Sequence, residues 1–231
     1  MPRLLKVNEV YGPVMQGEGV VIGQKTIFVR FTLCDARCTW CDTMYAVDPK
    51  HKDFESHDMT EERIVDECEK LNCKNVTFSG GNPAIYDLDR LIDMLHERGY
   101  WINMETQGSV SKPYFSKLDL VTLSPKPPSS GETTNWPKLD GCIALAKRYH
   151  LKVVVNPDFE GDYEYAKQVY KKYTPSDFTL QVCSPDDANA NVIMERYRKL
   201  ASMVAQDREY SHQVRVLLQL HSLVYGRVRK V

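Results

Sequence analysis

Short apolar segments alternate with amphipathic helical segments along most of the chain, and this alternation restricts the possible folds more than any other feature. Apolar residues recur with a period near 3.6 residues, as in an α-helix, in segments that include 137–149, 160–172 and 190–207. Strand patterns are found at the ranges 5–11, 25–33, 75–79, 100–105, 119–123, 151–155, 178–182 and 214–220. Repeated strand–helix units imply a parallel sheet. We therefore predict an α/β fold, a partial (β/α)6-type barrel in a single domain spanning residues 1–231.

The charge balance argues against general nucleic-acid binding. The chain has 30 Lys and Arg residues and 31 Asp and Glu residues. Its net charge is −1, so no global basic field is present. No stretch approaches the roughly 20 apolar residues that span a bilayer, and the first ten residues lack the apolar core of a secretory signal. We expect a cytoplasmic protein without nucleic-acid or membrane partners, in a compartment that keeps thiols reduced.

Three cysteines lie close together where the second predicted strand ends. Cys34, Cys38 and Cys41 have the spacing C-x3-C-x2-C. An odd number of thiols argues against a closed disulfide set, and three is one short of a four-thiolate zinc site or a fully ligated cluster. A [4Fe–4S] cluster on such a loop keeps one iron free to bind something that is not protein. That arrangement is catalytic rather than structural.

Three further strand ends carry unusual polar or glycine content. They are Gly80-Gly81-Asn82-Pro83, Glu105-Thr-Gln-Gly108 and Ser124-Pro125-Lys126. In a βα barrel the carboxyl ends of the strands converge on one mouth, where such folds place their chemistry. The sequence therefore predicts that these segments and the cysteine loop share one site.

Two regions upstream offer further polar groups. The loop 12–19 holds Gln16 and Glu18 between glycines, which allow close approach to a ligand, although an ordinary turn has a similar composition. Arg30 lies on the less apolar face of the second strand. It is a candidate for bidentate binding of a carboxylate if that face lines a cavity, and otherwise a solvated strand arginine.

Together these motifs resemble the radical S-adenosylmethionine (SAM) superfamily, in which an aromatic residue, here Trp40, precedes the third cysteine. A narrower resemblance, to the 7-carboxy-7-deazaguanine synthases of queuosine and deazapurine biosynthesis, covers nearly the whole chain. It rests on Gln16-Gly-Glu-Gly19, Arg30, Cys41-Asp42-Thr43, Ser79-Gly-Gly-Asn-Pro83, Glu105-Thr-Gln-Gly108, Ser124-Pro-Lys-Pro-Pro128 and Gln219-Leu-His221.

The resemblance implies roles for individual residues. Cys34, Cys38 and Cys41 would hold the [4Fe–4S] cluster, whose open iron binds SAM. The residues that would position SAM are Gly81, Glu105, Ser124, Pro125 and Lys126. The residues that would hold the substrate, 6-carboxy-5,6,7,8-tetrahydropterin, are Met15, Gln16, Gly17, Arg30 and Ser79. Thr43 would bind Mg²⁺ together with the substrate, which supplies the charged oxygens. Glu18 would assist proton movement or bind the substrate.

The implied activity is that of a radical carbon–nitrogen lyase. An electron from the reduced cluster cleaves SAM, the resulting 5′-deoxyadenosyl radical takes hydrogen from C6 of the pterin, and the ring contracts with loss of ammonia. The resemblance also implies a reductant such as flavodoxin or ferredoxin, and a homodimer. Leu218 departs from the family, which often has proline before Gln-Leu-His, and the tail Gly226-Arg-Val-Arg-Lys-Val231 is more basic than the resemblance predicts.

Two other functions fit the cysteine spacing. An activating enzyme for a glycyl-radical protein carries the same three thiols but needs an exposed docking surface for its protein substrate. A non-catalytic zinc or electron-transfer module belongs to a different class, and His51 or His57 would complete its site. Colour distinguishes them, because a [4Fe–4S] protein purified anaerobically is brown and a zinc protein is colourless.

Overall fold

The structure, a computed structural model, describes residues 3–184, 189–210, 213–226 and 228–230. Within these ranges the strands are β1 (Leu4–Met15), β2 (Lys25–Phe31), β3 (His57–Thr60), β4 (Asn75–Gly80), β5 (Trp101–Thr106), β6 (Leu120–Leu123), β7 (Tyr149–Val155), β8 (Phe178–Val182) and β9 (Val214–Leu217). The helices are α1 (Met44–Val47), α2 (Glu61–Glu69), α3 (Asp89–Glu97), α4 (Trp136–Leu145), α5 (Glu160–Tyr173), α6 (Ala190–Gln206) and α7 (Leu220–Tyr225).

All nine described strands belong to one sheet, in the order β3-β1-β2-β4-β5-β6-β7-β8-β9. From β2 to β9 neighbouring strands are parallel, whereas β1 is antiparallel to both β2 and β3. The sheet is not closed, because β3 and β9 lie at its two edges. The predicted partial (β/α)6-type barrel is confirmed, with β2 and β4–β8 as its six strands and β9 as an additional parallel strand.

Alternate residues of the parallel strands form two different surfaces. On β2, Ile27, Val29 and Phe31 are buried in the apolar core, which also contains the buried residues of α2, α3 and α5. The intervening positions of the sheet carry buried polar side chains instead: Thr26, Thr77, Asn103, Thr122, His150, Lys152, Thr179 and Gln181. Because strand side chains alternate between faces, the sheet has an apolar face under the helices and a polar inner face.

Helix starts follow ordinary capping rules. The hydroxyl of Thr60 accepts a hydrogen bond from the amide of Arg63 at the start of α2. Asn135 and Asn189 cap α4 and α6 in the same way. None of the helices in the described ranges is long and apolar enough to cross a bilayer.

The structure differs from the sequence prediction at several boundaries. β1 continues through Met15 into the predicted loop, and the predicted strand 214–220 ends at Leu217 and is followed by α7. β3 lies within a segment predicted as loop, because Met59 is its single buried residue and gives no periodic signal. Its pairing with β1 supplies the backbone hydrogen bonds. In the basic tail, Arg227 and Val231 lie outside the described residues.

Candidate active site

A cavity of about 720 Å³ opens at the carboxyl ends of the parallel strands. The sequence-predicted site residues that line it are Met15, Gln16, Gly17, Glu18, Arg30, Cys34, Cys38, Cys41, Thr43, Ser79, Gly81, Glu105, Ser124 and Lys126. Pro125 is buried between two of these residues but does not line the cavity. The prediction that the unusual strand ends share one mouth is therefore confirmed.

The cysteine loop is held on one side by the turn after β4 and by the end of β5. The side-chain amides of Asn82 and Gln107 both donate to the carboxylate of Asp35, at 2.8 and 2.6 Å. Gln107 also lies 3.6 Å from the sulfur of Cys34. These contacts orient the first cysteine relative to two strand ends.

The other side of the loop is held by a segment anchored on a buried carboxylate. The amide of Thr39 donates to the carbonyl of Ser130, and the indole nitrogen of Trp40 donates to the hydroxyl of Ser129 at 3.0 Å. Ser129 in turn donates from its amide and its hydroxyl to Asp162, which is fully buried. Asp162 was not singled out in the sequence, because it lies inside a helix far from the cysteines.

Cys34, Cys38 and Cys41 are free thiols that all line the cavity. Three thiol ligands on one loop fit a [4Fe–4S] cluster that keeps one iron open, whereas a structural zinc site takes four protein ligands. Burial raises the pKa of each thiol, to about 11 for Cys38. Thiolates at these positions therefore require a positively charged partner such as iron.

The turn after β4 lies directly against the start of the cysteine loop. The amides of Gly81 and Asn82 donate to the carbonyls of Phe31 and Leu33, at 3.0 and 2.8 Å. A Cβ atom on Gly81 would lie only 1.7 Å from the carbonyl oxygen of Leu33. Only glycine fits there, which is the physical reason for the Gly-Gly-Asn-Pro motif.

Lys152 of β7 forms buried ion pairs with two of the predicted site residues. Its ammonium group donates to the carboxylate of Glu18 and, at 3.2 Å, to that of Glu105. Burial by itself raises the pKa of Glu18, but Lys152, His221 and the hydrogen bond from Gln219 lower it to about 2. Burial opposes the charge of Lys152, yet the two carboxylates raise its pKa above the ordinary value. Glu18 and Lys152 are therefore both charged at neutral pH.

Two glutamine side chains complete this network. Gln16 donates to Glu105 at 2.9 Å, and its carbonyl oxygen accepts from the amides of Gly17 and Glu18. Gln219 donates to Glu18 at 2.6 Å and accepts from the amide of Ser184 at 3.3 Å. The glycine-rich loop is thus connected to β5, to β7 and to the segment after β9.

Arg30 lies on the wall of the cavity among aromatic and acidic partners. Its Nε donates to Glu9 and its Nη2 to the hydroxyl of Tyr11, both at 2.8 Å. The guanidinium carbon lies 5.5 and 5.8 Å from the ring centres of Tyr11 and Tyr45. Burial raises the pKa of Tyr45 to about 12, so it is neutral. The hydrogen bonds of Arg30 within the described residues use Nε and one hydrogen of Nη2. Nη1 and the second hydrogen of Nη2 can therefore donate to a ligand.

Thr43 lies at the start of α1, with its hydroxyl 3.7 Å from the sulfur of Cys41. The preceding carboxylate, Asp42, lies near Glu18 and His221, and one ligand atom from each falls within 4.8 Å of the others. These groups have the oxygen and nitrogen chemistry to hold a divalent cation beside Thr43.

Sequence reasoning missed Lys152 and Gln219 as parts of the site. The signal for Lys152 was a single cation in the otherwise apolar segment 151–155, on the face that the alternation assigns to the inside. Gln219 and His221 belong to a matching motif and could reach the site, but a lone histidine near a strand end is more often structural, so the sequence alone does not assign them to the site.

Comparison with known proteins first defines the class. Residues 28–123 match the model of the radical SAM superfamily. The crystal structure of QueE from Escherichia coli superposes with a TM-score of 0.67 at 20% identity, covering 94% of this chain and 95% of that one. At this identity the likeness supports the fold. Superfamily members use a [4Fe–4S] cluster and SAM, which agrees with the thiol chemistry of the loop.

Curated relatives then define the family. The 7-carboxy-7-deazaguanine synthase of Bacillus subtilis is 41% identical over 247 aligned positions, covering 100% of both chains. That of Bacillus cereus is 38% identical and covers 98% of this chain and 99% of its own. The chain belongs to the 7-carboxy-7-deazaguanine synthase family, and the resemblance noted from its motifs is confirmed.

Proposed function

We propose that this protein is itself a 7-carboxy-7-deazaguanine synthase, a carbon–nitrogen lyase that contracts the ring of 6-carboxy-5,6,7,8-tetrahydropterin with loss of ammonia. The observation that carries the proposal is the position of Arg30 and Gln16 in the same cavity as the cysteine loop. Full-length identity of 41% to a synthase supports the same activity. An activating enzyme for a large protein substrate has no evident need for this arrangement.

Cys34, Cys38 and Cys41 would hold the cluster, which supplies the electron that cleaves SAM and so makes hydrogen removal from C6 of the pterin possible. Gly81, Glu105 and the segment Ser124-Pro125-Lys126 would hold SAM. The hydroxyl of Ser124 is buried and has no hydrogen-bond partner among the described atoms, so it is available to a ligand. Lys126 adds a cation, 5.7 Å from the ring centre of Trp40.

Arg30 would bind the substrate carboxylate through its free nitrogen edge, and Met15, Gln16, Gly17 and Ser79 would surround the pterin. The hydroxyl of Ser79, like that of Ser124, is buried without a partner within the described structure. Glu18 is the proposed catalytic residue. Its pKa of about 2 means that it remains a carboxylate that accepts hydrogen bonds, is a weak base and does not donate a proton at neutral pH.

The remaining parts of the proposal concern partners. Thr43 would share a Mg²⁺ ion with the substrate, whose oxygens supply the negative charge that a neutral hydroxyl lacks. A flavodoxin- or ferredoxin-type reductant would supply electrons, and the protein would act in the cytoplasm as a homodimer. Reduced thiols are required for cluster binding, which fits that compartment.

Anaerobic turnover tests the proposal. The reconstituted, reduced protein is incubated with SAM, Mg²⁺ and 6-carboxytetrahydropterin, and the products are identified by mass spectrometry. We expect 7-carboxy-7-deazaguanine and ammonia, with none formed when SAM is omitted or when the Cys38→Ala variant is used. Cleavage of SAM without formation of the deazaguanine, by a protein with full iron content, would refute the proposed substrate.

A further inference from the structure

Lys152 is a buried cation between two carboxylates that come from distant parts of the chain. Its side chain is 3% exposed, and both of its acidic partners, Glu18 and Glu105, line the cavity. Glu18 lies in the glycine-rich loop and Glu105 near the end of β5. A buried lysine is costly unless it is paired and hydrogen-bonded, and here the two carboxylates provide both.

The two carboxylates have different expected ligands. In the proposed function Glu105 positions SAM and Glu18 contacts the pterin. Gln16 connects them a second time, because it donates to Glu105 while accepting from the amide of Glu18. Lys152, Glu105, Gln16 and Glu18 therefore form a closed hydrogen-bonded ring between the two ligand sites.

The charges of this ring depend on Lys152. The buried ammonium group of Lys152 lies between two partly buried carboxylates, so the group carries one net negative charge. The other titratable groups that face Glu18 are His221 and Asp42, at the cavity side of the ring. His150 is the nearest titratable neighbour of Lys152 on β7, and it is buried. Without the lysine, two partly buried carboxylates would repel one another across the space that Lys152 occupies.

We propose that Lys152 is a positioning residue that couples the SAM site to the substrate site, by pairing with both Glu105 and Glu18 and holding them in one fixed arrangement. The assignment of Glu105 to SAM and Glu18 to the pterin rests on the proposed function. Lys152 itself acts through these two residues. Loss of its charge should therefore affect SAM binding because Glu18 is left facing Glu105.

The test measures SAM affinity by anaerobic calorimetry, without pterin, for reconstituted wild-type protein and four variants: Lys152→Met, Lys152→Arg, Glu18→Gln and the double variant Lys152→Met with Glu18→Gln. Lys152→Met should weaken SAM binding at least about tenfold, because Glu18 and Glu105 are then left facing one another without the cation between them. The double variant again has one net negative charge, and it should bind SAM within about threefold of the Glu18→Gln variant. Lys152→Arg retains the cation and should lie between wild type and Lys152→Met.

Iron content and melting temperature show whether each variant is folded and loaded. If Lys152→Met does not fold, a SAM affinity of Lys152→Arg below that of wild type supports the proposal, and unequal SAM affinities of Glu18→Gln and the double variant overturn it. An unchanged SAM affinity in Lys152→Met overturns the proposal. The proposal is also overturned if Lys152→Met lowers SAM affinity by the same factor in the wild-type protein and in the Glu18→Gln variant. That result would mean that Lys152 contacts SAM or supports the fold directly. Because pterin is absent, failure of the proposed substrate is detected separately, in the turnover assay.

Discussion

Gly17 lies so close to His221 that a Cβ atom on Gly17 would be 2.3 Å from Nδ1 of the imidazole. The amide of Leu220 also donates to the carbonyl of Gly17 at 2.9 Å. These contacts join the glycine-rich loop near the start of the chain to the segment that follows β9. Together the two segments form one wall of the cavity, next to the carboxylate of Glu18.

Replacing Gly17 with alanine should displace His221 and the loop that carries Gln16 and Glu18. We expect pterin turnover to fall at least about tenfold, because misplacement of binding groups by about 1 Å costs as much or more. Steady-state rates and pterin affinity measure the effect. Gly141→Ala is the matched control, since a Cβ there meets nothing closer than 3.5 Å and the site is far from the cavity. Full pterin affinity in Gly17→Ala would contradict the prediction.

Replacing Cys38 with alanine should abolish cluster binding while the chain remains folded. The loop is held by Asn82, Gln107 and Ser129 independently of the thiol, so little packing is lost. Iron analysis and the visible spectrum measure the cluster, and circular dichroism measures the fold. Cys73→Ala serves as a control because that thiol lies outside the cavity and should keep full iron content. Full iron content in Cys38→Ala would be incompatible with the assigned ligand set.

Replacing Arg30 with alanine should weaken pterin binding while slow SAM cleavage without substrate continues. A charge-assisted hydrogen bond contributes about 1.5–3 kcal/mol, which corresponds to a loss of affinity of roughly ten- to hundredfold. Arg30→Lys keeps the charge but not the planar edge and should be intermediate. A pterin analogue without the carboxylate provides the control, because wild type and Arg30→Ala should bind it with similar affinity. If Arg30→Ala loses similar affinity for the pterin and for this analogue, Arg30 acts only by supporting the wall of the cavity.

His150 should make the stability of the fold depend on pH. Burial and the charges of Lys152, Arg215 and Arg148 lower the pKa of His150 to about 3, so it is neutral in the folded protein. The unfolded chain binds a proton near pH 6.5, and stability therefore falls as pH decreases from about 6.5 towards 3, by at most about 1.4 kcal/mol per pH unit.

Anaerobic urea unfolding between about pH 5 and 7 measures this slope. The variant His150→Gln removes the titrating group but has a side chain of similar volume. Its free energy of unfolding should depend less on pH, with a slope smaller by up to about 1.4 kcal/mol per pH unit, the contribution of one proton. Equal slopes in the two proteins would show that His150 does not contribute.

The parts of the fold that depend on local patterns were predictable from the sequence. The strand predicted at 25–33 contains β2, whose Ile27, Val29 and Phe31 alternate into the core, and the cysteine loop was expected where this strand ends. Turn and strand-end motifs likewise identified most of the cavity lining. In each case the determining residues are near neighbours in the chain.

The remaining features depend on contacts between distant residues. Lys152 pairs with Glu18 across 134 positions, and Gln219 reaches Glu18 across 201. Neither contact can be deduced from the periodicity of the sequence. β3 was missed for the same reason, because its pairing with β1 determines its conformation more than its own residues do.

The junction of Gly17 with Leu220 and His221 also has a consequence for biosynthesis. A ribosome makes Glu18 and the cysteine loop early, and Gln219 only after 201 further residues have been added. A growing chain can therefore have all three thiols available before one wall of the cavity exists. A cluster inserted at that stage lacks the cover of this wall, so we expect maturation of the protein to succeed best after the segment 219–221 has folded against the glycine-rich loop.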